Sequence, residues 1–194
     1  MREMRGAQST VNVVIDELEA NRAMFEALCQ ACQGERLERA VPAGHWTVQD
    51  HLAHVASFDE LAVGLLRGDG RIAETALASP DSETWNEAQV ARRAGRSLAM
   101  LLDEMAAWRE RSVGLLARQT DNSLSAEIYF SGDARRAAGM ISLRLWLESW
   151  SRHDMVHARW ILSALPELAV NSDYQSWLAD DPVLDAMERE EGRG

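Results

Sequence analysis

Residues 150–160 read WSRHDMVHARW, and on a helix this stretch puts His153 and His157 one turn apart between Trp150 and Trp160. The same period extends in both directions: Leu143, Trp146 or Leu147, Trp150, His153, His157, Trp160 or Ile161, and Ala164 follow at steps of three and four residues. That spacing marks one buried stripe on an α-helix. Both histidines fall inside it. Residues four apart on a helix project from one face with Cβ atoms about 5–6 Å apart. Two imidazoles so placed either find separate hydrogen-bond partners in an apolar wall, or share one cation at about 2.0–2.1 Å. Periodicity leaves both readings open, and a third ligand from elsewhere in the chain would decide between them.

Outward from this stretch, helical periodicity accounts for most of the sequence. A first helix runs from Ser9 or Thr10 through Val11, Val14, Ile15, Leu18, Met24, Phe25, Leu28 and Cys32, with Gly34 as its stop. After the loop RLERAVPAGHW, Thr47-Val48-Gln49-Asp50 has the capping-box form, and a second helix follows to about Arg67. GDGRIAETALASPDSE is a breaker-rich connection with room for one helical turn; its GxGxxA match over Gly68–Ala73 lacks the preceding buried strand of a dinucleotide site and reads as a turn. The third helix opens around Ser82 to Trp85 and carries Val90, Leu98, Leu101, Leu102, Met105, Trp108, Val113 and Leu116. Residues 119–136 lose the helical period and set Ile128, Tyr129 and Phe130 between polar clusters, as an extended crossover or ordered loop would. The fourth helix starts near Ala137 and ends before Pro166. Beyond it, Trp177 and a turn at Pro182 predict one or two short helices, and the EREEGRG end is expected to fray. The pattern predicts an all-α four-helix bundle, one domain over residues 1–194, with a long crossover before the last long helix and short C-terminal helices.

Composition narrows the function. With 31 acidic residues against 20 basic and a formal charge of −11, a nucleic acid would meet net repulsion. No run approaches the roughly 18–20 apolar residues of a membrane span, and MREMRGAQST has no signal-peptide core, so the expectation is a soluble cytoplasmic protein. All 20 basic residues are arginine, which excludes a lysine Schiff base, a pyridoxal-phosphate anchor of the usual kind and a P-loop lysine. Cys29 and Cys32 form a lone CxxC with no second pair to complete a zinc site and no βαβ pattern around it, so they read as two buried helix cysteines.

For the third ligand, the second helix offers His51 and His54, with His45 in the loop before it. On a helical wheel His51 lies near the middle of the arc set by Val48, Leu52, Val55, Phe58, Ala62 and Leu65, and His54 nearer its edge, so periodicity alone slightly favours His51, though a bundle face accommodates either. The stretch HWTVQDHLAHVASFDE resembles the second-helix signature of the DinB/YfiT-like superfamily, which includes the N-terminal domains of mycothiol-dependent maleylpyruvate isomerases and the bacillithiol transferases. In that signature a tryptophan opens the helix and a metal-binding histidine follows eight positions later, which is His54 after Trp46. The family's later His-x-x-x-His is matched by His153 and His157, and WNEAQVARR, with Trp85, Asn86 and Gln89, is similar to the start of the third helix in several members. The resemblance spans roughly residues 9–165. It implies a bacterial protein with His54, His153 and His157 as ligands of a divalent metal, Zn²⁺ or Ni²⁺, and His51 as an unmatched neighbour. It also implies a homodimer acting on a small-molecule thiol and an electrophilic substrate.

Three neutral imidazoles leave a fourth position for water or substrate, as in catalytic zinc sites. A thiol entering it would lose its proton and become a nucleophile, which fits thiol transfer or thiol-assisted isomerisation. Phe58, Trp85, Asn86, Trp146 and Trp150, with His51, are the candidates for a surrounding pocket, and one of Arg144, Arg152 and Arg159 could meet a substrate carboxylate at its rim. No catalytic residue beyond the metal ligands stands out. Two other readings stay open: a bundle that binds metal or a small molecule without turnover, and a hydrolase in which Asp154 of HDxxH serves as general base. A di-iron core is a weaker option, because no Glu-x-x-His occurs.

Overall fold

In the computed structural model, which describes residues 9–42, 44–67, 82–130, 139–179, 181, 182, 184 and 185, the first helix α1 spans Thr10–Ala31. Its cap is not local. Ser9 Oγ donates to Asp121 Oδ1 at 2.7 Å, and the amides of Thr10 and Val11 donate to the same carboxylate at 3.3 and 3.2 Å. The second helix, α2 (Val48–Arg67), starts as the sequence indicates: the Thr47 amide and hydroxyl donate to Asp50 Oδ2 at 2.8 and 2.7 Å, and the Asp50 amide donates to Thr47 Oγ1 at 3.3 Å. This reciprocal cap satisfies two amides that the first turn leaves without carbonyl partners.

The expected long third helix is two helices. α3 (Ser82–Arg92) stops short of Gly95, whose φ of +76° a side-chain-bearing residue would resist, and α4 (Leu98–Leu116) restarts at Ser97, whose hydroxyl accepts from the Met100 amide. The crossover is built around two antiparallel strands, β1 (Glu127–Phe130) and β2 (Gly139–Ser142), in register Glu127↔Ser142 to Phe130↔Gly139. The last long helix therefore begins at Leu143, not near Ala137: residues 139–142 are taken up by strand pairing, and Ser142 then caps the helix by accepting from the Leu145 amide. It runs as α5 (Leu143–Ser151) and α6 (His153–Ala164), interrupted at Arg152, whose amide bonds to Ser149 at the tightened turn. Two short helices, α7 (Pro166–Ala169) and α8 (Ser172–Leu178), follow. Ala137, the Gly68–Ala73 turn and the EREEGRG end lie outside the described residues.

The bundle is a ring of α1, α4, α2 and the α5–α6 pair, with α3 laid against α2. Its core has two apolar clusters. One gathers Phe25, Leu28, Leu52, Ala56, Met105, Met155 and Ile161; the other gathers Leu18, Ala62, Leu116, Leu147 and Trp150. On each wall a buried charged residue occupies the sequence position between the clusters: Arg22, Asp59, Arg109 and Asp154. Arg22 donates to Asp59 at 2.7 Å and to Asp154 at 3.0 and 3.1 Å; Arg109 donates to Asp59 at 2.9 Å, to Asp154 at 3.3 Å and to the Leu18 carbonyl at 2.7 Å. Trp150 Nε1 donates to Asp59 Oδ1 at 3.1 Å, and the Arg109 guanidinium lies 5.2 Å from the centre of the Trp150 ring. Two cations and two anions thus cancel inside the core, which is how buried charge is tolerated.

Candidate metal centre

The ring that α2 and α6 help to close brings four histidines together. His51 and His54 stand one residue short of a turn apart on α2, and His153 and His157 one turn apart on α6. His153 Nε2 lies 3.1 Å from His54 Nε2 and 3.2 Å from His157 Nε2. One ligand atom from each of these three residues lies within 4.8 Å of the others. On the far side of His157, its Nδ1 is 2.8 Å from His51 Nδ1. Periodicity alone slightly favours His51, and the resemblance points to His54; in the structure His54 reaches the shared nitrogens and His51 stands behind them, because the rotation of α2 against α6 decides which ring faces the cluster.

Aromatic rings enclose the cluster. Phe58 stacks on His153 with ring centres 3.9 Å apart, and Trp146 stacks on Phe58 at 5.8 Å. Trp46 covers His51 and His54 at 5.3 and 5.1 Å, and Trp160 lies 5.4 Å from His51 and 5.0 Å from His157. Trp46 is held from two sides: its carbonyl accepts from the Val41 amide at 2.9 Å, and its indole N–H donates to Glu87 Oε1 at 2.7 Å. His45 Nε2 contacts the same oxygen at 2.9 Å, so His45 belongs to this clasp and not to the cluster.

Of the other residues singled out from the sequence, Trp150 is committed to Asp59 within the core. Trp85 is buried on α3 and Asn86 half-buried beside it, and no contact among the described residues brings either to the histidines. From that segment it is Glu87 that reaches the site, through Trp46. Arg144 pairs with Glu148, Arg152 with Glu17 and Asp181, and Arg159 with Asp185. Asp154 is turned away from the histidines, with both carboxylate oxygens engaged by Arg22 and Arg109, so it is not placed as a general base. Cys29 and Cys32 are free, buried thiols; burial pushes Cys29 well above the ordinary range and Cys32 up to about 11, which keeps both protonated at neutral pH.

Burial sets the protonation of the imidazoles. It lowers His51 to about 4 against a small opposing pull from Asp50, and lowers His54 to about 3 with help from His51 and Arg93. His153 and His157 are also pushed well below the ordinary range, first by burial and then by the neighbouring histidines, with Arg22 and Arg109 adding to the effect on His153. All four rings are neutral at pH 7. Neutral imidazole is the form that binds metal.

The donor set also fits a cation on chemical grounds. His153 Nε2 has either one proton or one lone pair, yet meets two other ring nitrogens at hydrogen-bonding distance. It can serve only one of them well. A tetrahedral ion with bonds of about 2.0–2.1 Å would set its ligand nitrogens about 3.3 Å apart, close to the spacings found. Among the described residues His54 Nδ1 is buried without a hydrogen-bond partner, so the ring is held by packing while its other nitrogen faces the cluster.

An all-α bundle with three imidazole nitrogens converging from two of its helices is the class of protein this fold and site define. The family model of the DinB superfamily matches residues 17–161, well over half of the chain, and takes in His54, His153 and His157. The chain belongs to the DinB superfamily. No curated protein and no solved structure matches it. No helix among the described residues is long and apolar enough to cross a membrane.

Proposed function

We propose that this chain is a metal-dependent enzyme in which His54, His153 and His157 hold one divalent cation, Zn²⁺ or Ni²⁺, and in which a low-molecular-weight thiol is transferred to an electrophile or assists an isomerisation. The observation that carries the reading is the convergence of three neutral Nε2 atoms, 3.1 and 3.2 Å apart at His153, on a wall otherwise apolar and aromatic. When bound, a divalent cation supplies the positive charge that stabilises a thiolate at neutral pH. The protein's own groups do the rest. The three imidazoles stay uncharged and would hold the cation, Phe58 fixes the plane of His153, and Trp46 and Trp160 keep water from the ring edges of His51 and His157. In transfer to an aryl halide, the sulfur–carbon bond forms, the carbon–halogen bond breaks, halide departs and the thiol proton passes to solvent.

The test is turnover of a chromogenic aryl halide by zinc- or nickel-loaded protein, with mycothiol, bacillithiol and cysteine supplied in turn. A metal-dependent rate lost in His157→Ala supports the reading; a rate equal to that of the metal-free protein with every thiol overturns it. One observation favours a second reading, a metal-binding module without turnover: even the most open of the cluster's rings, His153, is only 9% exposed. Stoichiometric metal with no reaction of any thiol would support that module.

A further inference from the structure

The contact between His51 Nδ1 and His157 Nδ1 joins two buried ring nitrogens at 2.8 Å, a distance that requires one of them to carry a hydrogen and the other a lone pair. We infer that His51 is a positioning residue of the metal centre: its Nδ1 accepts the Nδ1–H of His157, fixing the tautomer and the ring plane in which His157 presents Nε2 to the cation. The inference rests on the three-histidine reading above and deepens it.

A neutral imidazole that ligates through Nε2 must carry its hydrogen on Nδ1. For His157 that hydrogen points at His51, the one polar partner that the described residues place on Nδ1, so His51 must keep its Nδ1 lone pair and carry its own hydrogen on Nε2. The acceptor is itself held. Trp46 meets the His51 ring edge-on at 5.3 Å, and Trp160 lies against both His51 and His157 at 5.4 and 5.0 Å, so neither imidazole can swing out of the contact without displacing an indole. His54 differs, because its Nδ1 is buried without a partner among the described residues. Polar orientation from behind is therefore given to His157, whereas His54 depends on packing. An acceptor behind a metal-bound imidazole raises its basicity and sets its angle, and loss of such a partner typically costs about 10- to 100-fold in metal affinity.

The test compares zinc affinity, by chelator competition, for the wild-type protein, His51→Leu, His51→Asn and His157→Ala, each shown to be folded by circular dichroism. Asparagine carries an oxygen close to where Nδ1 stands in histidine; leucine carries no acceptor. His51→Leu is expected to bind zinc about 10- to 100-fold more weakly and His51→Asn to recover affinity to within about threefold of wild type. Nitrogen-15 spectra of the zinc-loaded wild type should show His51 as the Nε2–H tautomer. Undiminished affinity in His51→Leu, equal losses in folded His51→Leu and His51→Asn, or a zinc-loaded His51 protonated on Nδ1 would each overturn the inference. If wild type binds zinc and His157→Ala does not, such a result removes the role of His51 alone. If wild type and His157→Ala are equally unable to bind, the three-histidine reading fails and takes the inference with it.

Discussion

His153 Nε2 meets two ring nitrogens with one proton or one lone pair to offer, and this excess of donors of one kind gives the site its chemical character. Each ring should be indispensable to it. His54→Ala, His153→Ala and His157→Ala are expected to lose stoichiometric metal in equilibrium dialysis with elemental analysis while keeping a helical circular dichroism spectrum. The same rings make stability depend on pH when metal is kept away by a chelator. In the unfolded chain the imidazoles titrate near 6.5, and in the folded chain burial holds His51 near 4 and His54 near 3. Both forms are neutral above pH 6.5; below it the unfolded chain takes up protons that the folded chain refuses, so stability falls with falling pH down to the folded values. Urea unfolding in chelator at pH 7.5, 6 and 5 should show the midpoint dropping at each step; a flat profile would mean that these histidines are not buried as described. At this scale the sequence placed His153 and His157 on one buried helical face, because their spacing on a helix is fixed, and left their role open. It could not show that His51 meets the far nitrogen of His157, since that depends on how α2 and α6 are rotated against each other.

The elements divide by whether their signals are local. The Thr47–Asp50 cap was legible because both partners lie within one turn. The β1–β2 pair was not: each strand has four residues, and its pairing depends on a partner across the crossover. The cap on α1 comes from Asp121, 110 positions beyond Val11, where no sequence window finds it. The break between α3 and α4 falls at Gly95, and the apolar period that resumes at Leu98 masks it in the sequence. Gly95 makes that break testable. A Cβ added there would meet nothing within 4 Å among the described residues, so Gly95→Ala incurs only the backbone cost of a positive φ, about 1–2 kcal/mol in denaturant unfolding. Thr47→Ala, which removes the capping hydroxyl from α2, should cost about 1 kcal/mol in the same assay. No change in midpoint for either would contradict the local geometry described.

Over the whole molecule, the layer of Arg22, Asp59, Arg109 and Asp154 ties α1, α2, α4 and α6 together between the two apolar clusters. Asp59 adjoins Phe58, which stacks on His153, and Asp154 adjoins His153 itself, so the charged layer anchors the chain on both sides of that ring. Asp59→Asn would leave Arg22 and Arg109 with a single carboxylate, and a loss of about 3–5 kcal/mol is expected from breaking a buried charge pair, read from urea unfolding. The sequence held a clue to this layer, since Arg22 falls four residues after Leu18 and three before Phe25 on the apolar stripe of α1. Which carboxylates answer it could not be read, because both lie far along the chain on other helices. The central claim, that folding gathers His54, His153 and His157 around one cation, is tested most directly by diffraction from crystals of the metal-loaded protein at the zinc or nickel absorption edge. One anomalous peak about 2.0–2.1 Å from the Nε2 atoms of all three histidines is the predicted result. No peak among them, or one that leaves any of the three rings uncoordinated, would contradict it.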